Sequence, residues 1–327
     1  MSSVSSVGCV VIGRNEGMRF RSCVASLLNN QFVNIVYVDS GSTDGSVEFA
    51  ENAGLIVERL DSAAPFTAAR ARNAGFSRLM SMPNKPELVQ FIDGDCVLLP
   101  DWIDCARSFL NENEGYAAAC GRRKERYPEA TIYNRLCDLE WNTPVGDALA
   151  FGGDVLIRAD HFEAVGGFRS DLISGEEPEL CVRLRSNGLR IRRLDKDMTL
   201  HDANIERFSQ WWMRCVRGGY GFARVAALHW GKKTAIWQRE VARATLYGGL
   251  VPTAAIVGMV VHPASLLLLL VYPLLLVRIY AGSRVERQWR GLYAMFMVLS
   301  KFAEFQGIMK YVWDFVVGRR SAIIEYK

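Results

Sequence analysis

The first hundred residues alternate between short, continuous apolar runs and longer segments in which apolar positions recur with helical spacing. Apolar runs without polar interruptions are typical of strands buried on both faces, and their alternation with helices indicates βαβ units around a parallel sheet. Strands are predicted at 8–12, 33–38, 55–60 and 88–92, and helices at 18–28, 46–52 and 66–80. We therefore expect an α/β fold with a mostly parallel, Rossmann-like sheet.

Polar residues directly follow three of these predicted strands. Ligands of parallel sheets bind beyond the carboxyl ends of the strands, so the three polar segments should converge on one crevice. They contain Asn15 and Glu16 after the first strand, Asp39 and Ser42 after the second, and Asp93, Gly94 and Asp95 after the fourth. This convergence favours a binding site over three unrelated turns.

The fourth strand ends in two carboxylates, Asp93 and Asp95, that are separated by one glycine. Adjacent like charges cost free energy unless positive charge lies beside them. Carboxylate oxygens suit Mg²⁺ or Mn²⁺, which also bind phosphate oxygens. A solvated turn is the alternative, because Asp and Gly are common turn residues. His201 is a further candidate ligand, although a lone histidine is more often structural.

Two other segments fit a nucleotide at the same sheet edge. The loop 39–46 combines short polar side chains with glycines, which lets backbone amides approach a base or a phosphate. The same residue types also cap helices, and both interpretations can hold together. Arg72, in the helix predicted at 66–80, suits a diphosphate, with a solvated helix surface as the alternative.

A second acidic cluster, Glu176 and Glu177, precedes an amphipathic helix. Acidic residues are favoured in a first helical turn, so helix capping is one interpretation. Two adjacent glutamates exceed what capping requires, and a carboxylate at a helix start can act as a general base. Upstream of this cluster lies a glycine turn that could approach a sugar, formed by Gly152, Gly153 and Asp154.

The charge distribution and the cysteines narrow the class of protein. Residues 206–327 carry 17 Lys and Arg against 6 Asp and Glu, whereas the rest of the chain carries 22 against 29. The basic residues flank long apolar runs, which favours an anionic membrane surface over nucleic acid as the partner. The eight cysteines show no paired spacing, which argues against a disulfide framework and a zinc site. Because residues 1–7 lack a basic region, we expect no signal peptide and a cytoplasmic acidic domain.

The C-terminal part of the chain contains apolar segments that suit a membrane. Segments 246–261 and 264–277 are almost uncharged, flank His262 and Pro263, and are each shorter than the ~20 residues of a spanning helix. With basic residues on both sides, 245–280 predicts a helical hairpin whose ends are cytoplasmic. The mixed pattern of 288–317 predicts an interfacial helix, with a buried helical core as the alternative.

These patterns divide the chain into three expected regions. An α/β domain is expected at 1–205, a basic amphipathic helical linker at 206–243, and a membrane-associated helical region at 244–327, which contains the hairpin and the interfacial helix.

The ordered set of motifs resembles the family 2 glycosyltransferases, which are inverting enzymes of the GT-A fold. The resemblance covers residues 7–205 and rests on the segments 11–16, 39–46, 71–75, 93–95, 152–153 with 166–168, and 175–177. The basic, apolar C-terminal part, which ends in 324–327, resembles membrane-associated members that build exopolysaccharides or lipid-linked glycans. The resemblance therefore implies a GT-A domain followed by a membrane-associated region.

The resemblance also implies a role for individual residues. Asp39 would contact the nucleotide base, Arg72 would lie near the diphosphate, and Asp93 would face the ribose or a phosphate. Asp95 and His201 would hold Mg²⁺ or Mn²⁺. Asn15, Glu16, Ser42 and Gly94 complete the implied donor site, and Gly152, Gly153 and Asp154 form the implied acceptor side.

Glu177 stands where the family commonly has the aspartate that serves as catalytic base, and the Glu-Glu pair leaves the base open between Glu176 and Glu177. Residues 210–214 do not match the motif of processive synthases, so a single addition is implied. We expect inverting transfer from a nucleotide-diphosphate sugar, UDP-linked, to a hydroxyl of a membrane-bound, lipid-linked glycan at the cytoplasmic face of the cell membrane. The alternative is a transferase that acts on a polyprenyl phosphate and needs no base.

Overall fold

The structure is a computed structural model that describes residues 5–319, so the predicted motif segment 324–327 lies outside the described residues. These residues form two compact units. Unit 1 comprises 5–130 and 140–203, and unit 2 comprises 131–139 and 204–319. Residues 131–139, which the sequence pattern grouped with the first domain, therefore belong to the second unit.

Unit 1 is built on a mixed sheet that has nine strands within the described residues. The strands are β1 (Val7–Gly13), β2 (Ile35–Asp39), β3 (Ile56–Arg59), β4 (Leu88–Asp93), β5 (Cys96–Leu98), β6 (Tyr116–Glu125), β7 (Gly146–Asp147), β8 (Val155–Arg158) and β9 (Arg190–His201). Their order is β3-β2-β1-β4-β8-β6-β9-β5, and β7 pairs with β9.

The helices of unit 1 cover this sheet. They are α1 (Met18–Leu28), α2 (Ser46–Asn52), α3 (Ala68–Met80), α4 (Trp102–Glu112), α6 (Ala159–Ala164) and α7 (Glu176–Ser186), while α5 (Ile132–Trp141) begins in unit 2 and ends in unit 1. The seven elements predicted for the first hundred residues all occur, with ends shifted by two residues at most.

The expectation of a mostly parallel sheet holds for one half of the sheet and needs correction for the other. Strands β1 to β4 pair in parallel, whereas β8 runs antiparallel to β4 and β6, and β5 runs antiparallel to β9. An apolar run indicates that a strand is buried but does not encode the direction of its neighbour. The second half was therefore not readable from the pattern.

Close packing of α3 on the parallel half positions the residues at its start. Gly75 of α3 lies against β1 and β2, and a Cβ there would collide with side-chain carbons of Val10 and Val38. Val10 and Val38 are themselves fully buried. Because α3 lies so close to the sheet, Arg72, one turn earlier on α3, lies beneath the carboxyl ends of the strands.

Unit 2 is helical throughout its described secondary structure. Its helices are α8 (Phe208–Leu228), α9 (Gln238–Ala244), α10 (Val251–Gly258), α11 (Val271–Gly282) and α12 (Arg290–Val316). A π-helical segment, Thr245–Leu250, joins α9 to α10, and a 3₁₀ segment, Pro263–Leu270, leads into α11.

The predicted hairpin is present as two consecutive apolar helices, but its first arm is longer than predicted. The helices Gln238–Gly258 and Pro263–Gly282 are each long and apolar enough to cross a membrane, and the second has no buried residues in its most apolar window. Between the arms, the His262 side chain accepts a hydrogen bond from the Ala264 N–H at 3.1 Å. The first helix begins at Gln238 and therefore includes Arg239 and Arg243, which the sequence pattern placed before the hairpin.

Helix α12 lies where the sequence predicts a helix, but it packs as a core helix along part of its length. Gly219 of α8 contacts the backbone of Glu304, and Gly307 of α12 contacts the backbone of Val216. The charged residues of α12 pair within the helix, as in the 2.6 Å contact between Lys301 and Glu304. This packing corresponds to the buried-core alternative rather than to a helix lying alone at an interface.

We predict that Gly75→Ala destabilises the protein by about 1–3 kcal/mol, because the added methyl group overpacks the contact of α3 with β1 and β2. The midpoint of urea denaturation measures this change. The matched control is Gly291→Ala, since no heavy atom lies within 4 Å of the Cβ it would add. An unchanged midpoint for Gly75→Ala would contradict the close approach of α3 to the sheet.

Candidate active site

The polar ends of β1, β2 and β4 lie side by side at one edge of the sheet. The register pairs Gly13 with Asp39 and Ile12 with Asp93, and the Gly94 N–H donates to the Ile12 carbonyl at 2.8 Å. The three segments that follow these strands therefore meet at one crevice. This arrangement follows from parallel pairing, which brings the carboxyl ends to the same edge.

Side-chain hydrogen bonds join the first two of these segments into one loop structure. The Asn15 N–H donates to Ser42 Oγ at 3.0 Å, and Asn15 Oδ1 accepts from the Thr43 N–H at 2.7 Å. Asn15 adopts a φ of 55°, which asparagine tolerates better than most residues. Glu16 forms an ion pair with Arg19 at 2.8 Å. These contacts position the two loops relative to each other before any ligand binds.

Asp39 holds the second loop in shape through its own carboxylate. Its oxygens accept hydrogen bonds from the Gly41 N–H at 2.9 Å, the Ser42 N–H at 3.0 Å and the Tyr37 hydroxyl at 3.0 Å. The residue is 5% exposed. The structure thus places Asp39 at the predicted edge and ties its carboxylate into the loop.

Arg72 connects the two acidic clusters. One terminal nitrogen lies 2.7 Å from Asp93 Oδ1 and the other 2.9 Å from Glu176 Oε1. Arg72 is only 3% exposed. Burial alone would lower its pKa, but the charges of Asp93 and Glu176 raise it above the ordinary value, so the side chain stays charged. Both terminal nitrogens of Arg72 thus hold carboxylates, and its place near a diphosphate stays a prediction.

A second buried guanidinium, that of Arg123 on β6, was missed by the sequence analysis. It lies 3.3 Å from Asp93 Oδ2 and 2.9 Å from Asp154 Oδ1. Burial would raise the pKa of Asp93, but Arg72 and Arg123 hold it below the usual range. A signal was available, since the apolar start of β6 ends in a run of charged residues, Arg122, Arg123, Lys124 and Glu125.

Asp154 departs from its predicted place on the acceptor side. Its side chain is completely buried and accepts hydrogen bonds from the Asp93 N–H at 3.2 Å and from the Thr199 hydroxyl at 2.7 Å. The neighbouring Gly153 adopts a φ of 95°, and a Cβ there would overlap the Arg123 guanidinium. Asp154 therefore holds Asp93 and Arg123 in place through a hydrogen bond and an ion pair. Because its side chain is completely buried, it cannot contact an acceptor in this conformation.

The adjacent glutamates at the start of α7 lie in different surroundings. Glu176 is 9% exposed and paired with Arg72. Glu177 keeps partial solvent access and accepts a hydrogen bond from the Gly152 N–H at 3.2 Å. Burial, and next the charge of Glu176, raise the pKa of Glu177 to about 7. Glu177 can therefore change its protonation near neutral pH.

Asp95 and His201 form a pair of buried donors suited to a divalent cation. Asp95 Oδ2 lies 3.4 Å from His201 Nε2, close to the separation of about 3 Å expected for neighbouring ligands of Mg²⁺ or Mn²⁺ at about 2.1 Å. His201 Nδ1 is buried and has no hydrogen-bond partner in the described part of the chain. The Trp141 ring packs at 83° to the imidazole, with centroids 4.9 Å apart. One carboxylate and one imidazole fit the metal predicted from the sequence.

The structure therefore groups the residues of the candidate site into two neighbouring sets. Asp93, Arg72, Glu176 and Arg123 form a connected ionic network, beside which lie Glu177 and the Asp95–His201 pair. Asn15, Ser42 and Asp39 belong to the adjoining loops one and two strands further along the sheet.

Comparisons with known proteins give a family match over the first half of the chain. Residues 9–170 match the family model described as glycosyl transferase family 2. A search of curated proteins found no match. The family match ends before Glu176, Glu177 and His201, so the placement of these three residues rests on the geometry above.

Three solved structures are similar to this one. The mannosyltransferase PcManGT from Pyrobaculum calidifontis, in complex with GDP-Man and Mn²⁺, has a TM-score of 0.62 at 17% identity and covers 96% of this chain and 88% of its own. TarS from S. aureus, residues 1–349, has a TM-score of 0.55 at 14% identity, with coverages of 96% and 92%. Glucosyl-3-phosphoglycerate synthase from Mycobacterium tuberculosis, in complex with Mn²⁺, UDP and glucosyl-3-phosphoglycerate, has a TM-score of 0.51 at 17% identity, with coverages of 68% and 79%. These similarities confirm the predicted GT-A fold class.

We predict that Arg72→Met destabilises the protein by about 3–5 kcal/mol, because it leaves the buried Glu176 carboxylate without its cation and Asp93 with Arg123 alone. Arg72→Lys should recover only part of this loss, since an ammonium cannot bridge two carboxylates as a planar guanidinium does. Urea denaturation measures both. The matched control is Arg78→Met, an exposed position on the same helix, which should change stability by less than about 0.5 kcal/mol. Equal effects at 72 and 78 would contradict the bridging role.

Proposed function

On the premise that this chain is a nucleotide-sugar glycosyltransferase of family 2 with the GT-A fold, we propose that it transfers one sugar, with inversion, to a hydroxyl group of a membrane-bound acceptor. The observation that carries this proposal is the contrast between Glu176 and Glu177. Arg72 neutralises Glu176, whereas the pKa of Glu177 is raised to about 7. A hydroxyl acceptor requires a base to take its proton, and a carboxylate at the crevice whose pKa is about 7 can act as that base.

The donor end of the site would be formed by Asp93, Asp95 and the loops that carry Asn15 and Asp39. Arg72 and Arg123 keep Asp93 ionised and fixed, so its partly exposed carboxylate can accept hydrogen bonds from a ribose. Asp95 and His201 would hold Mg²⁺ or Mn²⁺, and such an ion supplies charge neutralisation for a departing diphosphate. Two of the similar structures were solved with a nucleotide and Mn²⁺, which supports this assignment.

The base would be Glu177. Its carboxylate accepts one backbone hydrogen bond, from Gly152, and retains lone pairs for a hydroxyl proton. A general base is most effective when its pKa lies near the working pH, and such assistance contributes about 10²–10⁴-fold to a rate. The hydroxyl proton would pass to Glu177 as the acceptor oxygen attacks the sugar. Glu176 would serve as the partner of Arg72 and not as the base.

Glu177→Gln should lower transfer to a hydroxyl acceptor by about 10²–10⁴-fold, because the amide cannot take the proton. In the wild type, kcat/KM should rise with pH through about 7, as Glu177 loses its proton. The assay is transfer from a panel of UDP- and GDP-linked sugars in the presence of Mn²⁺, which also identifies the donor. Near-normal turnover of the variant would favour a phosphate acceptor, such as a polyprenyl phosphate, which needs no base.

Thermal unfolding provides a control that the variant is folded. The folded-state pKa of Glu177 lies above its ordinary value, so the protonated form favours folding and this contribution is lost as pH rises through about 7. Glu177→Gln keeps a neutral side chain at all pH values. The variant should therefore unfold at an equal or higher temperature than the wild type at pH 8.

The membrane part of the proposal rests on the two apolar helices of unit 2. Their exposed faces carry large aliphatic side chains, among them Ile256 and Leu274, which are 64% and 68% exposed. Arg239 and Arg243 lie at the start of the first helix, and Arg284 and Arg287 follow the second. Cationic flanks favour the anionic cytoplasmic leaflet, so we place the enzyme at the cytoplasmic face of the cell membrane with a lipid-linked glycan as acceptor.

Membrane association can be tested by fractionation of cells that produce the protein. The wild type should remain in the membrane fraction after a high-salt wash and be released by detergent, because apolar contact with lipid survives charge screening. The double variant Leu267→Asp with Leu274→Asp should shift to the soluble fraction. The control is Leu149→Asp, at an exposed leucine of unit 1. Release of the wild type by salt alone would contradict insertion of the hairpin.

A further inference from the structure

Cys96 adds a third donor beside the Asp95–His201 pair. Its sulfur lies 3.7 Å from Asp95 Oδ1, and ligand atoms of Asp95, Cys96 and His201 all lie within 4.8 Å of one another. Cys96 and His201 are also directly opposite in the antiparallel pairing of β5 with β9, so their side chains point to the same face of the sheet. One oxygen, one sulfur and one nitrogen therefore surround a common point.

The spacing of these atoms resembles a tetrahedral site. Zinc bonds of about 2.3 Å to sulfur and about 2.0–2.1 Å to nitrogen and oxygen place tetrahedral S and O ligands about 3.6 Å apart, and N and O ligands about 3.4 Å apart. Here the Cys96 sulfur lies 3.7 Å from Asp95 Oδ1 and His201 Nε2 lies 3.4 Å from Asp95 Oδ2, so each separation matches for one of the two carboxylate oxygens. The buried His201 Nδ1 lacks a hydrogen-bond partner in the described residues. No hydrogen bond at this atom therefore competes with metal binding by the imidazole.

We propose that Asp95, Cys96 and His201 together bind a thiophilic divalent cation, Zn²⁺ or Cd²⁺, and that such an ion inhibits the enzyme by displacing Mg²⁺ or Mn²⁺. The proposal rests on the assignment of Asp95 and His201 as the metal ligands of the proposed function. The Cys96 thiol gives up its proton to solvent when the metal–sulfur bond forms, and the thiolate becomes the third ligand.

The softness of the sulfur separates the two classes of ion. Mg²⁺ and Mn²⁺ prefer oxygen ligands, whereas thiolates select softer ions, and Zn²⁺ exceeds Mn²⁺ in affinity for most mixed sites. An ion that bonds strongly to sulfur therefore recruits Cys96, whereas a hard ion is held by Asp95 and His201.

The test measures Cd²⁺ and Mn²⁺ binding to the full chain in detergent. Calorimetry gives both dissociation constants, and the ultraviolet charge-transfer band of a Cd–thiolate bond reports sulfur ligation directly. A Cys105→Ser background removes the exposed cysteine. In this background Cys96→Ser should weaken Cd²⁺ binding by about tenfold or more and abolish the band, while the Mn²⁺ constant changes by less than about twofold. The matched control is Cys120→Ser, another buried strand cysteine, which should change neither constant.

Asp95→Asn distinguishes failure of this inference from failure of the proposed function. If Asp95→Asn weakens both ions and Cys96→Ser changes neither, the metal site stands and the thiolate inference is wrong. If Asp95→Asn leaves Mn²⁺ binding unchanged, the metal site of the proposed function is itself wrong. In transfer assays at fixed Mn²⁺, added Zn²⁺ should inhibit the wild type at lower concentration than Cys96→Ser, and equal sensitivity would overturn the proposal.

Discussion

The ion bridge from Arg72 to Asp93 and Glu176 is the interaction on which the rest of the site depends. A charge removed from water is stable only when its partners are in place, and loss of one partner costs several kcal/mol. Arg72 is 3% exposed, so α3, β4 and the start of α7 must come together in one arrangement. The bridge therefore couples correct folding of unit 1 to correct placement of both acidic clusters.

The same bridge gives the two adjacent glutamates different chemistry. Arg72 forms an ion pair with Glu176. Glu177, one residue later, accepts a hydrogen bond from the Gly152 N–H and has a raised pKa. Arg123 likewise bridges two carboxylates, those of Asp93 and of the buried Asp154. Two guanidiniums thus keep Asp93 ionised, while Glu177 can change its protonation near neutral pH.

The Asp95–His201 pair, with Cys96 beside it, is a kind of metal site that residue spacing along the chain cannot predict. The cysteines show no paired spacing, which argues against a local cysteine-based site such as a zinc finger. It does not address Cys96, whose neighbour His201 lies more than a hundred residues away in the chain. Strand β5 and strand β9 bring the two opposite each other. Donors assembled from distant strands are visible only when the pairing of those strands is known.

The sequence by itself determined the parallel half of the sheet, the three polar strand ends and the two acidic clusters, because apolar periodicity and turn chemistry are local properties. It also located the apolar hairpin. The tertiary structure decided the strand directions in the mixed half of the sheet, the packing of α12, the bridging role of Arg72 and the burial of Asp154. It also placed Arg123 in the ionic network and gave Glu176 and Glu177 different partners. Each of these depends on which distant residue supplies the opposite charge or the neighbouring strand, and no local pattern encodes that choice.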